Sequence, residues 1–587
     1  MVIVMDRAGN KCPGKSVRPL LPGTGPSGAS HKRGQTLISR QKGSDTVFRL
    51  SAKRRVTQAK SARSGRTMIA LLTLGFALAG TSPRLVAEQE SDYYRIVSVF
   101  TPETETDSRA AQWRPAPDGL ALEVSGIAVL DDSRIAVAIR KGEVWILDGA
   151  YDDPPRDVRY QRFASALHEP LGLLRWGDSL VTAQRTELTQ LRDRSGDGVA
   201  DEYRTLASGW GVTGHYHEYA YGPEADADGN LWITLNIGMG LKGDQLRRTV
   251  EHPRLGYRQA AWRGWGLKLT PGGELVPVCA GMRSPAGIGA NAAGDMFYTD
   301  QQGNWVAAGS LHHMRPGAFF HHPEALASTV LPGSPIGEVD SIPAGLPFPD
   351  ALARFPQMRP PAVWFPYEKA GQSATDIVAD ASGGRFGPFH GQLFVGEFTQ
   401  AAIHRVFLEQ VGGEYQGACF PFRRGFASAV LRMAQGTDGG LFVGLTNRGW
   451  SSLGRSSYGL QRLVWTGKNP FEILEMRALP DGFELVLTEP VDPQTATDLN
   501  SYTMTSYTYL YHATYGSDEI QKRSPAIRDA TVSADGSRVR LRIDGLRERF
   551  VHELVAAGLR STDGRSLLHP QAYYTLNQIP ERSDPLP

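Results

Sequence analysis

Short apolar runs that start at a turn recur through the middle of the chain. Most of them follow a second short apolar strand, and the two are separated by a Gly- or Asp-containing turn. The six runs occupy residues 133–138, 177–182, 229–234, 294–299, 391–396 and 440–445. Strand pairs that repeat with a period of about 40–50 residues are typical of β-propeller blades. The pattern predicts an all-β, six-bladed β-propeller, and the alternative is an ordinary β-sandwich with coincidental turns.

Two segments that flank the repeats are candidates for closing the ring. One is Tyr93–Val99, which precedes the first blade, and the other is Gly459–Trp465, which follows the last. Circular sheet assemblies remove exposed edges by pairing a strand from one end of the chain with strands from the other end. We therefore expect the two segments to pair, and we predict a propeller domain over residues 88–467.

A different pattern begins after the repeats, at residue 468. Polar and apolar residues alternate in Phe483–Leu487, Val539–Ile543 and His552–Val555, with Asp-Gly turns between these segments. Short alternating strands separated by turns favour a small immunoglobulin-like β-sandwich. The predicted second domain covers residues 468–587.

Residues 1–87 resemble a leader. The apolar stretch Met68–Ala79 follows several Lys and Arg residues and precedes small residues, as in a secretory signal, and it is too short to span a membrane. We expect a periplasmic or secreted protein without a transmembrane segment. The basic stretch before the signal indicates a start codon assigned too early, with Val56 as the true start; a basic arm that binds nucleic acid is the alternative.

Charge and cysteine content narrow the classes of partner. The formal net charge is +2, but the basic excess lies in residues 1–87, so the rest of the chain is net acidic. Clustered Lys and Arg are needed to bind nucleic acid, and an acidic exported chain is therefore a poor candidate. Cys279 and Cys419 remain after the leader, and they could form a disulfide or stay as two buried thiols.

The segment 193–201 has the ligand spacing of a calcium loop. Oxygen donors stand at positions 1, 3, 5 and 9, and a backbone carbonyl is available at position 7; these residues are Asp193, Ser195, Asp197, Asp201 and Val199. EF-hand-type loops use this spacing, although the closing Glu at position 12 is absent here. A structural calcium site is predicted, and the alternative is an acidic, solvated turn.

Candidate chemistry lies at the start of the third repeat. His215, His217 and Glu218 enter the strand that we expect to line the central channel. A histidine there can take a proton from a hydroxyl group, and two histidines two residues apart can also share a metal ion. The alternative is a histidine pair whose nitrogens bond to loop carbonyls.

Further polar residues stand at equivalent positions of other repeats. Arg283 enters the fourth repeat, where its guanidinium could bind a carboxylate, or pair with a loop acid as an ordinary surface arginine. Other candidates that could face the channel are Glu169, Lys369, Gln372 and Arg448.

These motifs resemble a known superfamily. The segments 228–234, 281–288 and 299–303, in this order, are similar to those of the six-bladed soluble quinoprotein glucose/sorbosone dehydrogenases. The resemblance implies that His215 or His217 is the general base toward a sugar hydroxyl and that Arg283 contacts the cofactor pyrroloquinoline quinone. It also implies that carbonyls of the Gly303–Asn304 turn hold calcium beside the quinone. A branch of exported proteins with a C-terminal sandwich is similar over most of the chain.

The chain departs from that superfamily where cations are expected. The lysine that contacts the cofactor in the superfamily corresponds to a position near Gln400 of this chain. The basic residues that precede the superfamily's sixth blade correspond to positions near 426–428. A quinone that carries three negative charges would lose cationic partners, which Lys369 or Arg424 could replace.

Three functions follow as hypotheses. The first is an exported oxidoreductase that acts on a sugar or polyol, with pyrroloquinoline quinone, calcium and an unknown electron acceptor. The second is a carbohydrate- or glycan-binding propeller without catalysis. The third is a hydrolase or lyase with a metal held by His215, His217 and Glu218.

Overall fold

The computed structural model describes residues 88–102, 121–130 and 134–581, so the predicted leader at 1–87 lies outside the described residues. Strands dominate, and the helices are short. They are α1 (Glu90–Tyr93), α2 (Phe348–Arg354), α3 (Pro493–Thr497) and three 3-10 helices at Gly243–Arg248, Pro323–Val330 and Leu499–Ser501. Within these described ranges, no helix has the length and apolar character needed to cross a membrane.

Six antiparallel sheets of four strands follow one another along the chain. The first contains β2 (Val124–Val129), β3 (Arg134–Ile139), β4 (Glu143–Asp148) and β5 (Arg159–Ala164). The second contains β6 (Leu174–Trp176), β7 (Ser179–Ala183), β8 (Glu187–Arg192) and β9 (Glu202–Ser208). The third contains β10 (Ala220–Ala225), β11 (Leu231–Leu235), β14 (Trp265–Leu269) and β15 (Leu275–Ala280), and a hairpin of β12 (Val250–Glu251) and β13 (Arg258–Gln259) interrupts it.

The remaining three sheets repeat this order. The fourth contains β16 (Gly287–Ala290), β17 (Met296–Asp300), β18 (Gly309–His313) and β20 (Val363–Phe365), and the loop before β20 carries β19 (Leu346–Pro347). The fifth contains β21 (Ala374–Ala379), β22 (Leu393–Glu397), β23 (Ala402–Val411) and β24 (Glu414–Arg424). The sixth contains β25 (Val430–Gln435), β26 (Leu441–Thr446) and β27 (Tyr458–Trp465), and its outer strand is β1 (Tyr94–Phe100).

The six-bladed, all-β fold predicted from the repeats is confirmed. The first strand of each sheet is its innermost strand. Each innermost strand contacts that of the next sheet, and β25 of the sixth sheet contacts β2 of the first. Strand β1 pairs with β27 in antiparallel register from Tyr94 opposite Trp465, as predicted. Threonines on the first two strands of a sheet donate across the sheet boundaries, for example Thr299 Oγ1 on β17 to Thr375 O on β21 at 2.8 Å and Thr375 Oγ1 to Val430 O on β25 at 2.9 Å. Small and hydroxylated residues therefore recur on the inner strands because neighbouring sheets approach closely there.

The C-terminal region adds two sheets that share an apolar core. One contains β28 (Ile473–Leu479), β29 (Gly482–Leu487), β34 (Arg538–Asp544) and β33 (Ala526–Val532). The other contains β36 (Gln571–Leu576), β35 (Phe550–Val555), β30 (Thr503–Thr508) and β32 (Ile520–Arg523). The second sheet continues the fifth blade, because β36 pairs with β24. The immunoglobulin-like classification and the boundary at 467/468 stay predictions.

A short strand of the C-terminal region lies on the propeller. Strand β31 (Leu510–Tyr511) pairs with β19, in the loop of the fourth sheet. The segment that follows β31 is thereby placed over the loops of the fourth blade.

The two cysteines do not form a disulfide. Cys279 lies on β15 of the third sheet and Cys419 on β24 of the fifth, and both are free and buried. Burial raises the pKa of both thiols well above its usual value, so they behave as small apolar side chains rather than as nucleophiles.

Candidate functional site

One end of the propeller, which we call the entry face, collects most of the predicted site residues. Each innermost strand begins there, and because adjacent strands are antiparallel, each second strand ends there. Loops that precede β10, β16 and β21 carry His215, His217, Glu218, Arg283 and Lys369, and loops that follow β17 and β22 carry Gly303, Asn304 and Gln400. The sequence pattern thus placed these residues on one face because it identified the strand ends.

His217 is held in one tautomer by the backbone. Its Nδ1 lies 2.9 Å from the carbonyl oxygen of Ile237, and since a carbonyl only accepts, Nδ1 carries the proton. Among the described residues, Nε2 has no hydrogen-bond partner, and its lone pair is available to accept a proton. Burial lowers the pKa of His217 to about 4, and the nearby charges of Arg283 and Arg185 act in the same direction. The imidazole is therefore neutral at neutral pH.

The other two residues of the predicted group support His217. The buried Glu218 carboxylate accepts hydrogen bonds from Thr213 N at 2.8 Å, Thr213 Oγ1 at 2.7 Å and Gly214 N at 3.2 Å. His215 Nδ1 accepts from the backbone N–H of His217 at 3.2 Å. Both side chains are therefore committed to the loop that presents His217, and we treat them as positioning residues.

Arg283 is a buried cation without an ion-pair partner. Its residue is 6% exposed, and the described part of the chain contains no carboxylate that forms an ion pair with its guanidinium. The guanidinium lies over the ring of Tyr515, 5.3 Å from its centroid. A Cβ at Gly303 would overlap Arg283 Nε, so glycine is needed there for the arginine to occupy this place. Burial lowers the pKa of Arg283.

Asp300 fixes the backbone beside Arg283 without neutralising its side chain. The carboxylate accepts from the backbone N–H groups of Arg283 at 2.8 Å and Ser284 at 2.7 Å. Burial raises the pKa of Asp300 to about 6, although these hydrogen bonds and Arg283 oppose the rise. Asp300 therefore sets the loop conformation, and the guanidinium of Arg283 stays available to a ligand.

Several buried polar atoms near His217 and Arg283 have no hydrogen-bond partner in the described structure: Asn236 Oδ1, Arg283 Nε and His322 Nδ1. Asn236 Nδ2 lies 3.4 Å from His217 Nδ1. Burial, together with the nearby charge of Arg283, lowers the pKa of His322 well below its usual value. Buried polar atoms usually have a hydrogen-bond partner, and a polar ligand or water can supply the partner of these three atoms. We call His217, Asn236, Arg283 and His322 the polar pocket.

His322 was missed as a site residue by the sequence analysis. It ends a His-rich segment, 312–322, that begins in β18 and continues into the long loop before β20. The loop returns to the ring just before the 3-10 helix Pro323–Val330, and His322 is 2% exposed there. The accumulation of histidines in a long loop was the available signal.

Two other basic residues that the sequence placed at the channel are already neutralised. Lys369 Nζ lies 2.8 Å from Glu519 and 2.6 Å from Glu553, both in the C-terminal region. Arg448 pairs with Glu123 at 2.5 Å. Of Arg283, Lys369 and Arg448, only Arg283 keeps an uncommitted charge among the described residues.

Glu169 and Gln400 also have partners. Glu169 is shared by Arg140 at 2.6 Å and Arg185 at 2.7 Å, and Gln400 Nε2 donates to Glu368 O at 2.9 Å. Both side chains therefore take part in contacts within the fold.

The Gly303–Asn304 turn is covered by the C-terminal region. Gly303 O accepts from Gly516 N at 3.0 Å, and Asn304 Nδ2 donates to Ala513 O at 2.9 Å. Gly303 O also accepts from Val306 N at 3.1 Å, so the carbonyl expected to bind calcium already has two hydrogen bonds. A calcium role for this turn stays a prediction.

The 193–201 loop joins β8 to β9 and lies at the opposite end of the propeller. Its carboxylates accept backbone hydrogen bonds: Asp193 from Gly196 and Gly198 at 2.7 Å each, Asp201 from Ser195 at 3.2 Å, and Asp197 from Val199 at 3.1 Å. Across the described ranges, no group of three or more His, Cys, Asp or Glu residues is arranged to hold a metal ion. The calcium site at these five residues stays a prediction, and it would be structural because of its distance from the polar pocket.

Comparisons with known proteins give one family match. Residues 133–421, just under half of the chain, match a family described as a domain of unknown function, DUF7133. No curated protein sequence matches the chain.

Similar solved structures include soluble sugar dehydrogenases, the class that the sequence motifs resemble. An oxidoreductase of Thermus thermophilus, provisionally described as a glucose dehydrogenase, is 17% identical with a TM-score of 0.43, and the match covers 63% of this chain and 100% of that one. A PQQ-bound aldose sugar dehydrogenase from Streptomyces coelicolor is 14% identical, with a TM-score of 0.39 and coverage of 63% and 98%. The apo aldose sugar dehydrogenase from Escherichia coli is 12% identical, with a TM-score of 0.39 and coverage of 59% and 98%.

Proposed function

We propose that this protein is an oxidoreductase that oxidises a hydroxyl group of a sugar or polyol, with His217 as the general base. The observation that carries the proposal is the hydrogen bond from His217 Nδ1–H to Ile237 O at 2.9 Å. It leaves a neutral imidazole whose Nε2 can accept the hydroxyl proton. The low pKa of His217 keeps this form populated across the neutral range.

Oxidation of an alcohol to a carbonyl releases one proton and one hydride. The proton would go to His217 Nε2. Pyrroloquinoline quinone, when bound, supplies a two-electron acceptor for the hydride. A quinone carboxylate could be bound by the guanidinium of Arg283, which no described carboxylate neutralises, and Asn236 Oδ1 and His322 Nδ1 offer further polar contacts.

Pyrroloquinoline quinone carries three negative charges, and the cations around the polar pocket fit one carboxylate better than three. Lys369, which could have replaced the cations missing from the sequence, is held by Glu519 and Glu553. We therefore propose Arg283 as the principal anion contact and assign no such role to Lys369 or Gln400. Calcium, if bound, would stabilise the 193–201 loop rather than take part in the reaction.

The test uses the purified full-length protein with pyrroloquinoline quinone and calcium. Dye reduction is followed with a panel of aldoses and polyols, and quinone binding is measured separately by equilibrium dialysis. His217→Gln should keep quinone binding and lower kcat by about 10²–10⁴-fold, the usual contribution of a general base. His313→Gln, on β18, is the matched histidine control and should keep full activity. Absence of bound quinone together with absence of turnover would overturn the proposal.

The exported location is also a proposal. The apolar stretch at 68–79, with basic residues before it, supports a periplasmic or secreted protein. Cell fractionation, with the N-terminal sequence of the protein recovered from each fraction, tests it. Full-length protein confined to the cytoplasmic fraction would contradict it.

A second candidate function is glycan binding without catalysis. The specific observations in its favour are the ion pairs of Lys369 and the two hydrogen bonds already accepted by Gly303 O. Saturable glycan binding that is unchanged in His217→Gln, with no redox activity, would establish it in place of the first.

A further inference from the structure

A cavity of about 440 Å³ lies on the entry face between the propeller and the C-terminal region. Gln302 and Gln372 line it from propeller loops, and His512, Tyr515 and Asp518 line it from the segment after β31. Its volume falls within the range of about 300–1,000 Å³ that is usual for small-molecule sites.

The C-terminal wall of this cavity is firmly attached to the propeller. Besides the two hydrogen bonds to the Gly303–Asn304 turn, the backbone N–H of Trp305 donates to His512 O at 3.1 Å. A Cβ at Gly516 would stand 2.7 Å from Gln302 Nε2, so glycine permits this close approach. The pairing of β31 with β19 anchors the start of the segment. The cavity is therefore a built feature of the fold.

Tyr515 connects the cavity to the polar pocket. Its ring lies over the Arg283 guanidinium, and 46% of the residue is exposed. Tyr367, on the propeller side of the same cavity, is 40% exposed. Two aromatic side chains thus offer accessible surface within one cavity, and one of them, Tyr515, also contacts Arg283 of the polar pocket.

The lining selects for a neutral, hydroxyl-rich ligand. It contains amides, hydroxyls, one imidazole and one carboxylate, and none of its residues is Lys or Arg. The buried Nε2 of His512 has no hydrogen-bond partner among the described residues, and a ligand hydroxyl would supply one. Aromatic rings pack on the C–H faces of sugars, whereas an anionic ligand would find no cation in this lining.

We infer that this cavity is a second sugar subsite, which binds a glycosyl unit linked to the one whose hydroxyl reacts at His217. The inference rests on the proposed function for the identity of the reacting unit. It makes the C-terminal region part of the substrate site and makes oligosaccharides or glycosides better ligands than monosaccharides.

Calorimetric titration of the full-length protein with neutral monosaccharides and with cello-, malto- and chitotriose tests the inference. The wild type should bind at least one trisaccharide more tightly than its monosaccharide. Tyr515→Ala should weaken the binding of that trisaccharide by about tenfold, which is the scale of one lost aromatic contact. Tyr367→Ala should weaken its binding as well. Monosaccharide binding should change less in both variants.

Trp450→Ala is the matched control, since Trp450 is an exposed aromatic residue of the entry face that does not line the cavity. It should bind the trisaccharide as the wild type does. If Tyr515→Ala lowers the melting temperature, Tyr367→Ala decides the result. Trisaccharide binding without any turnover would support the subsite and contradict the proposed oxidoreductase activity. Turnover of monosaccharides with equal trisaccharide affinity in all variants, or tighter binding of a uronic acid than of neutral sugars, would overturn the subsite.

Discussion

The arginines on two sides of the entry face differ in whether they form ion pairs. On the side of the first, second and sixth blades, Arg140 and Arg185 share Glu169, and Arg448 pairs with Glu123. On the side of the fourth blade, the buried Arg283 forms no ion pair with a described carboxylate, and it contacts an aromatic ring and lies among unsatisfied polar atoms. Charges that are neutralised within the fold stabilise the wall, whereas a charge that is left unneutralised is available to bind a ligand.

The largest effect is expected on the neutralised side. Glu169→Gln removes the charge shared by two largely buried arginines, and should lower the free energy of unfolding by about 3 kcal/mol. Urea denaturation measures it. Asp544→Asn, which breaks the exposed pair with Arg528 in the C-terminal region, is the control and should cost less than about 1 kcal/mol. Equal losses in the two variants would contradict the difference between buried and exposed pairs.

A second neutralised cluster predicts a pH dependence of stability. Buried His569 lies between Glu472, at 2.6 Å, and Glu90, at 3.1 Å. Burial alone would lower its pKa, but the two carboxylates outweigh burial and raise the pKa to about 9. Because the folded-state pKa exceeds the unfolded value near 6.5, the stabilisation is complete below about pH 6.5 and is lost as the pH rises through about 9.

Thermal unfolding between pH 6 and pH 10 tests the cluster. The melting temperature of the wild type should fall more steeply over this range than that of His569→Gln. Parallel pH profiles for the two proteins would show that the imidazolium does not contribute.

The fourth-blade side should respond in the opposite direction. Arg283→Met removes a buried charge that forms no ion pair with a described carboxylate, and it should leave the free energy of unfolding unchanged or raise it by up to about 1 kcal/mol. The same variant should lose binding of any anionic cofactor. A destabilisation as large as that of Glu169→Gln would show that Arg283 has a structural role like those of Arg140 and Arg185.

The smallest effect is expected in the pH dependence of kcat/KM, which should be flat across the neutral range. With its pKa near 4, His217 should be deprotonated throughout the neutral range, so kcat/KM should rise as the pH increases through about 4 and stay level from about pH 5.5 to 8. A histidine with an ordinary pKa would lose activity below about pH 6.5. A fall in that range would show that Arg283 and burial do not shift the pKa of His217.

The blades were predictable because residues close together in the sequence determine where a strand begins and ends. Turn residues and apolar runs identified where each inner strand begins, and this placed His217 and Arg283 on one face. Long-range partners were not predictable. His322 reaches the polar pocket through a long loop, and Glu519, Glu553 and Tyr515 come from a region more than a hundred residues away from Lys369 and Arg283.

The calcium site at the 193–201 loop stays a prediction. Asp193, Asp197 and Asp201 stand at calcium-ligand positions in sequence, but each accepts backbone hydrogen bonds in the structure. A spacing defines which residues can converge, while the conformation of the loop decides whether their oxygens face a common point.

We expect the unsatisfied atoms of the polar pocket to bind the ligand. Crystals of the protein soaked with pyrroloquinoline quinone and an aldose test this expectation. Ligand density should lie in hydrogen-bond contact with Arg283 Nε, Asn236 Oδ1 or His322 Nδ1, with a sugar hydroxyl next to His217 Nε2. Density only elsewhere on the molecule, with ordered water alone on these four atoms, would contradict it.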